Sequence, residues 1–304
     1  MTTPAESDAL ADSRPANTAL RLVGGVVITA CLVGLLVADR LIGGRALFTV
    51  LLAGLVAVGL WEFYGLAARA GARPAAGFGI ACGVALVAAQ WFREQCAAAG
   101  IVLPIDPVAA VAASALFGAV AIQVARSGVQ GAWANLGATV LGLALVWFPT
   151  VFVARIRGFG LGPLLMFVAT VKVSDVAAYV VGRAVGRRRL APRVSPNKTV
   201  AGAVGALVAG TLTALAFCVV WPAACAGLSL GAAVLFGAVV TVFGMLGDLG
   251  ESVLKRAAGA KDASNLLPGF GGVLDVLDSV WGAAPAAYVA FVLLGTPPVG
   301  LVVL

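Results

Sequence analysis

The chain has 304 residues, 62% hydrophobic and 11% charged, with a mean hydropathy of +1.07 and a net charge of +7. A soluble domain carries about 25% charged residues, so this composition excludes one and describes a polytopic membrane protein. Histidine is absent, which removes the commonest zinc ligand and the commonest general base. Any chemistry must run on carboxylates, Lys, Arg and hydroxyls.

Residues 1–19 are polar and read as a disordered tail, without the basic start and short apolar core of a cleavable signal. Apolar runs of spanning length follow near 20–38, 46–65, 76–92, 104–125, 132–153, 160–182, 200–221, 227–247 and 281–304. The expected fold is therefore an all-α bundle of about nine transmembrane helices. Their Gly and Ala content suits close helix packing in lipid. No internal repeat or separate soluble domain is apparent. The five cysteines (Cys31, Cys82, Cys96, Cys218, Cys225) form no CxxC pair and read as small buried hydrophobes.

Basic residues orient the chain. With the N-terminus cytoplasmic, the inside segments hold Arg14, Arg21, Arg69, Arg73, Arg126, Arg183, Arg187, Arg188, Arg189, Arg193, Lys198, Lys255, Arg256 and Lys261. The outside loops hold Arg40, Arg45, Arg93, Arg155 and Arg157, and Lys172 falls within a span. This bias puts segments 183–199 and 248–280 in the cytoplasm and suits an anionic inner-membrane surface. Residues 20–159 then read as a scaffold, and 160–304 as the region that carries chemistry.

Two charged clusters stand out in that region. Only four lysines occur beside sixteen arginines, and they are Lys172, Lys198, Lys255 and Lys261. A compact ammonium suits a phosphate oxygen or a crowded ionic site. The first cluster, 172–199, carries Asp175 about 10 Å inside its span end. Lys172 is its nearest partner on the helix, and a plain helix-to-helix ion pair is the bland alternative. Arg187, Arg188 and Arg189 read as a positive-inside anchor. Ser195, Asn197, Lys198 and Thr199 are expected at the start of the next helix, where free N–H groups favour phosphate.

The second cluster, 248–278, holds five of the thirteen carboxylates: Asp248, Glu251, Asp262, Asp275 and Asp278. Asp248, Glu251, Ser252 and Lys255 fall at i, i+3, i+4 and i+7 and share a helix face, with Arg256 beside it. A polar loop and the turn LLPGFGG follow, then Asp275 and Asp278 at i and i+3. Paired hard carboxylates at two span ends could hold magnesium or a similar cation against a polyphosphate.

The stretch GDLGESVLKRAAGAKDASNLLPGFGGVLDVLDS resembles the signature of the phosphatidate cytidylyltransferase (CDP-diacylglycerol synthase) family. Ser252, Lys255, Arg256, Lys261, Asp262, Pro268, Gly269, Gly271, Gly272, Asp275 and Asp278 stand in register with it. SDVAAYVVGRAVGRRRLAPRVSPNKT is similar to the family's second block, and Trp61-Glu62 resembles a short motif near a span end. The strong match covers roughly 172–281. Phe270, Val276 and Ala201 depart from the family's usual His, Arg and Glu.

The resemblance implies conversion of CTP and phosphatidate to CDP-diacylglycerol and pyrophosphate, with magnesium and room for a second, monovalent cation. It implies catalytic roles for Asp248, Lys255, Asp275 and Asp278, and metal binding by Asp175, Asp248, Asp275 and Asp278. Ser195, Lys198, Thr199, Ser252, Arg256, Lys261, Gly269, Gly271 and Gly272 would bind substrate. It further implies a homodimer in the bilayer, with no nucleic-acid partner. A related enzyme acting on an isoprenoid lipid phosphate is the nearest alternative. A CDP-alcohol phosphotransferase lacks support, since its Asp-Gly-x-x-Ala-Arg block is missing. A transporter using Lys172 and Asp175 as a midplane relay lacks inverted repeats.

Overall fold

The structure, a computed structural model, describes residues 38–39, 45–267, 269 and 271–295. The expected tail 1–19 and nearly all of the first span, 20–38, lie outside the described residues, as do Pro268, Phe270 and 296–304. Eight helices long and apolar enough to cross a membrane occupy the rest. They are α1 (Ala46–Arg69), α2 (Ala76–Ala98), α3 (Pro107–Ser127), α4 (Ala132–Phe159), α5 (Leu161–Val185), α6 (Val200–Val220), α7 (Leu230–Ala257) and α8 (Val273–Leu294). Each matches one of the eight later apolar runs, so the all-α polytopic reading holds among the described residues.

The helix ends differ from the apolar runs where polar side chains satisfy backbone groups. Helix α4 runs to Phe159, through a π-helical turn at Leu143–Trp147. Arg155 and Arg157, expected in an outside loop, therefore sit in its last turns and are buried. Arg157 pairs with Asp39 at 3.3 Å, and Arg155 lies over the Tyr288 ring. Helix α7 carries the charged stretch ten residues past its apolar run, to Ala257. Helix α8 starts at Val273, eight residues before its apolar run. Within the expected cytoplasmic segment 248–280, the two charged faces lie on helix as their spacing implies, and the connection between them is 258–272.

A second correction concerns 189–199. Arg189–Ala191 and Ser195–Thr199 form a short antiparallel hairpin, β1 and β2, in place of a first helical turn. Helix α6 begins only at Val200. Thr199 is its N-cap, with Oγ1 accepting from the Gly202 N–H at 3.1 Å. A third concerns cysteine. Cys218 in the last turn of α6 and Cys225 just beyond it are joined as a disulfide, whereas Cys82 and Cys96 are free and buried as expected.

The core lies where α1, α4, α5, α7 and α8 meet. Phe148, Phe152, Phe159, Phe236, Tyr288 and Phe291 form a chain of ring contacts there. Helix α3 is the least buried span, with Phe117 and Val124 turned outward, as lipid contact requires. The closest crossing sets the site. At Gly247 of α7, a Cβ would fall 2.8 Å from the Gly282 Cα of α8. Only two glycines allow that approach, which brings Asp248 and Asp278 to the same level of the bundle.

Candidate functional site

Four elements converge at one end of the bundle. Helix α5 supplies Lys172 and Asp175, and β2 supplies Lys198. The C-terminal third of α7 supplies Asp248, Glu251, Ser252 and Lys255, while the first turns of α8 supply Asp275, Asp278 and Ser279. Lys198 Nζ lies 2.6 Å from Asp248 Oδ2, which ties the hairpin to α7. Lys172 Nζ donates to the Val276 carbonyl at 2.7 Å and reaches Asp175 Oδ2 at 3.5 Å. A contact with Ser279 and the proximity of Asp248 complete the surroundings of Asp175. The carboxyl of Asp278 faces those of Asp248 and Glu251, and its Oδ1 accepts from Ser279 Oγ at 3.2 Å.

Along α7, Glu251, Ser252 and Lys255 are all buried on one face. Lys255 Nζ sits between two carboxylates, 2.8 Å from Glu251 Oε2 and 2.6 Å from Asp275 Oδ1. Asp275 is thereby kept out of the Asp175–Asp248–Asp278 group. Its other oxygen accepts from the Ala263 N–H at 2.8 Å and the Gly272 N–H at 2.7 Å, so it closes the loop and caps its own helix. Arg256 reaches the Val194 carbonyl at 3.4 Å and the Ala260 carbonyl at 3.0 Å, bridging the hairpin and the loop. Lys261 and Asp262 are exposed on that loop. Ser195 lies in the hairpin register opposite Ala191, and Thr199 is spent on the α6 cap.

The glycine turn is pinned by paired backbone bonds between Leu267 and Gly271, of 2.8 and 3.1 Å. Gly271 has φ of +90°, in the region that favours glycine, and Gly269 is similar at +84°. At Gly271 a Cβ would also lie 2.7 Å from Asp275 Oδ2.

Sequence reasoning left Glu62 without a role. It is buried in α1, yet it accepts from Ser264 Oγ at 2.6 Å, Val273 N–H at 3.0 Å and Leu274 N–H at 2.7 Å. It therefore anchors the loop and the N-terminus of α8 to the first half of the bundle. The available signal was a carboxylate near the end of an apolar run, beside the Trp61-Glu62 resemblance.

One oxygen, Glu251 Oε1, is buried with no hydrogen-bond donor among the described residues, and the Glu251 carboxyl adjoins that of Asp278. Two adjoining carboxyls require a proton or a cation between them. No group of three acidic, thiol or imidazole side chains among the described residues forms a ready cage. Magnesium does not need one, because it keeps several waters and binds through one or two carboxylates plus substrate phosphates. Asp175, Asp248 and Asp278, with the free oxygen of Glu251, fit such an ion in donor chemistry.

Residues 21–294 match the model of the cytidylyltransferase family. The chain belongs to that family. Among similar cytidylyltransferases, the phosphatidate cytidylyltransferase of Brucella suis biovar 1 (strain 1330) is 40% identical over 164 residues, or 52% of this chain and 58% of that protein. Those of Bacillus subtilis (strain 168) and Pseudomonas aeruginosa are 36% and 38% identical over 154 and 156 residues. The matched stretch spans somewhat more than half the length of these relatives, 55% and 56% in the latter two.

Proposed function

We propose that this cytidylyltransferase converts CTP and phosphatidate to CDP-diacylglycerol and pyrophosphate. The observation that carries the reading is the meeting of Asp175, Asp248 and Asp278 with Lys198 at one membrane face. Anionic and cationic groups from four elements suit the joining of two phosphate-bearing substrates. An oxygen of the phosphatidate phosphate attacks the α-phosphorus of CTP. The new P–O bond forms as the α–β anhydride bond breaks and pyrophosphate leaves. The attacking phosphate is ionised near neutral pH, its second pKa being about 6, so no histidine base is needed. What remains is positioning and charge neutralisation.

Lys198, Arg256 and Lys261 are suited to phosphate oxygens, with Ser195 and Ser252 as supporting donors. Lys255 and Asp275 hold each other and fix the glycine turn, where Gly269, Gly271 and Gly272 let backbone approach the nucleotide. Asp175, Asp248 and Asp278 would hold magnesium, which neutralises charge on the triphosphate when bound. The names of the matched relatives favour phosphatidate over an isoprenoid lipid phosphate. Family membership favours an enzyme over a transporter.

A site facing the cytoplasm in the inner membrane has two independent supports. The basic residues crowd that end, and the Cys218–Cys225 disulfide lies at the other, as suits an oxidising compartment.

Purified protein supplied with magnesium, CTP and phosphatidate is expected to form CDP-diacylglycerol. Asp278→Asn and Lys198→Ala should each lower turnover about 100-fold or more. Unchanged turnover in both variants would sink the assignment. A wild type that exchanges pyrophosphate with CTP only when an isoprenoid phosphate is supplied would redirect the lipid.

A further inference from the structure

A polar cavity opens at the same face as the site, in the half of the bundle read as scaffold. It has a volume of about 260 Å³ and lies between the α1–α2 connection, the last turns of α3 and the first turns of α4. Its walls are locked by their own amides. Asn135 Oδ1 accepts from the Arg73 N–H at 2.6 Å, and Asn135 Nδ2 donates to Gln123 Oε1 at 3.1 Å. Gln123 Nε2 donates to the carbonyls of Gly128 and Gln130, each at 3.0 Å. Thr139 Oγ1 accepts from the Ala75 N–H at 3.0 Å and donates to the Asn135 carbonyl at 2.8 Å. These groups are satisfied within the wall.

Arg73 and Arg126, both exposed, also line the cavity. Neither guanidinium has a hydrogen-bond or ion-pair partner among the described residues. Residues 66–75 and 119–139 contain Arg69, Arg73 and Arg126 and no Asp or Glu. Two forked cations at the edge of a preformed hollow, on segments that carry no acidic residue, match an oxyanion that accepts several N–H bonds.

The level of the hollow points to its ligand. Trp133, two residues before Asn135, is 94% exposed, and Val129 in the adjoining turn is 92% exposed. Exposed tryptophan at a span end is the signature of the headgroup layer. Basic pockets between spans on the cytoplasmic side suit anionic headgroups. We propose that this cavity binds a phosphate group through Arg73 and Arg126, supplied by an anionic phospholipid of the surrounding leaflet or by a soluble phosphate. The inference does not rest on the proposed activity, since none of these residues belongs to the candidate catalytic cluster.

The test uses the full chain in nanodiscs of phosphatidylcholine, or of phosphatidylcholine with phosphatidylglycerol, with inorganic phosphate added to the former in a third arm. Bound lipid is read by native mass spectrometry, and the thermal shift is read in all arms. Phosphatidylglycerol should be retained and raise the midpoint if the source is lipid; inorganic phosphate alone should do so if it is soluble. The double variant R73Q/R126Q should bind roughly thirty-fold more weakly in whichever arm responds. Ser127→Trp fills the hollow and keeps both charges, and it should abolish binding equally. Retained binding in Ser127→Trp would reduce the patch to a diffuse positive anchor. Unaltered binding in R73Q/R126Q, or no response in any arm, would overturn the proposal.

Discussion

Glu62→Ala removes the one acceptor shared by Ser264 Oγ and the first two amides of α8. A hydrogen bond to a charged acceptor contributes about 1.5–3 kcal/mol, and a carboxylate at a helix N-terminus adds roughly 0.3–1 kcal/mol. Water can reach part of the freed loop and offsets some of the loss, which leaves a net cost of about 3–5 kcal/mol. Glu62→Gln keeps one acceptor oxygen and turns an amide toward an N–H donor, so about 2 kcal/mol is expected. For a chain of this size the alanine variant should melt on the order of 10 °C lower in detergent micelles. Hydrogen exchange should quicken first at 263–275, because Asp275 and the glycine turn depend on the same anchor. Turnover should fall with it even though Glu62 stands outside the Asp175–Asp248–Asp278 cluster. An alanine variant that melts within about 2 °C of wild type, with unchanged exchange at those residues, would refute the reasoning.

Lys255→Met leaves Glu251 and Asp275 buried beside each other without their shared cation. The cost should be about 3–5 kcal/mol, measured by chemical unfolding, and Lys255→Met with Asp275→Asn should recover part of it. At the opposite face, Cys218 and Cys225 should resist alkylation until reduced, whereas Cys82 and Cys96 should gain label only on unfolding. Labelling of all four before reduction in the denatured protein would contradict the disulfide.

The spans were legible because lipid imposes a single requirement, about twenty apolar residues in a row. The α7 stripe was legible too, since 3.6-residue periodicity places Glu251, Ser252 and Lys255 together whatever surrounds them. Less legible was what holds these charged helix ends in place. Local hydropathy stops α7 at Gly247 and starts α8 at Trp281, but distant acceptors stabilise the extra turns. Glu62, more than 200 residues away in sequence, is one of them. The β1–β2 hairpin was missed because Ser195–Thr199 reads as the start of the next helix, whereas it pairs with Arg189–Ala191.

Sequence alone determined that this protein is a helical membrane bundle with its charge concentrated in two segments, because hydropathy and charge are local properties. Only the tertiary structure decided how those charges divide. Asp278 is drawn to Asp248 by the Gly247–Gly282 contact, while Asp275, one turn earlier on the same helix face, is held by Lys255 and two backbone amides. Two carboxylates with equivalent spacing thus take different partners, because partners in a folded chain are set by the packing of backbones and not by sequence interval.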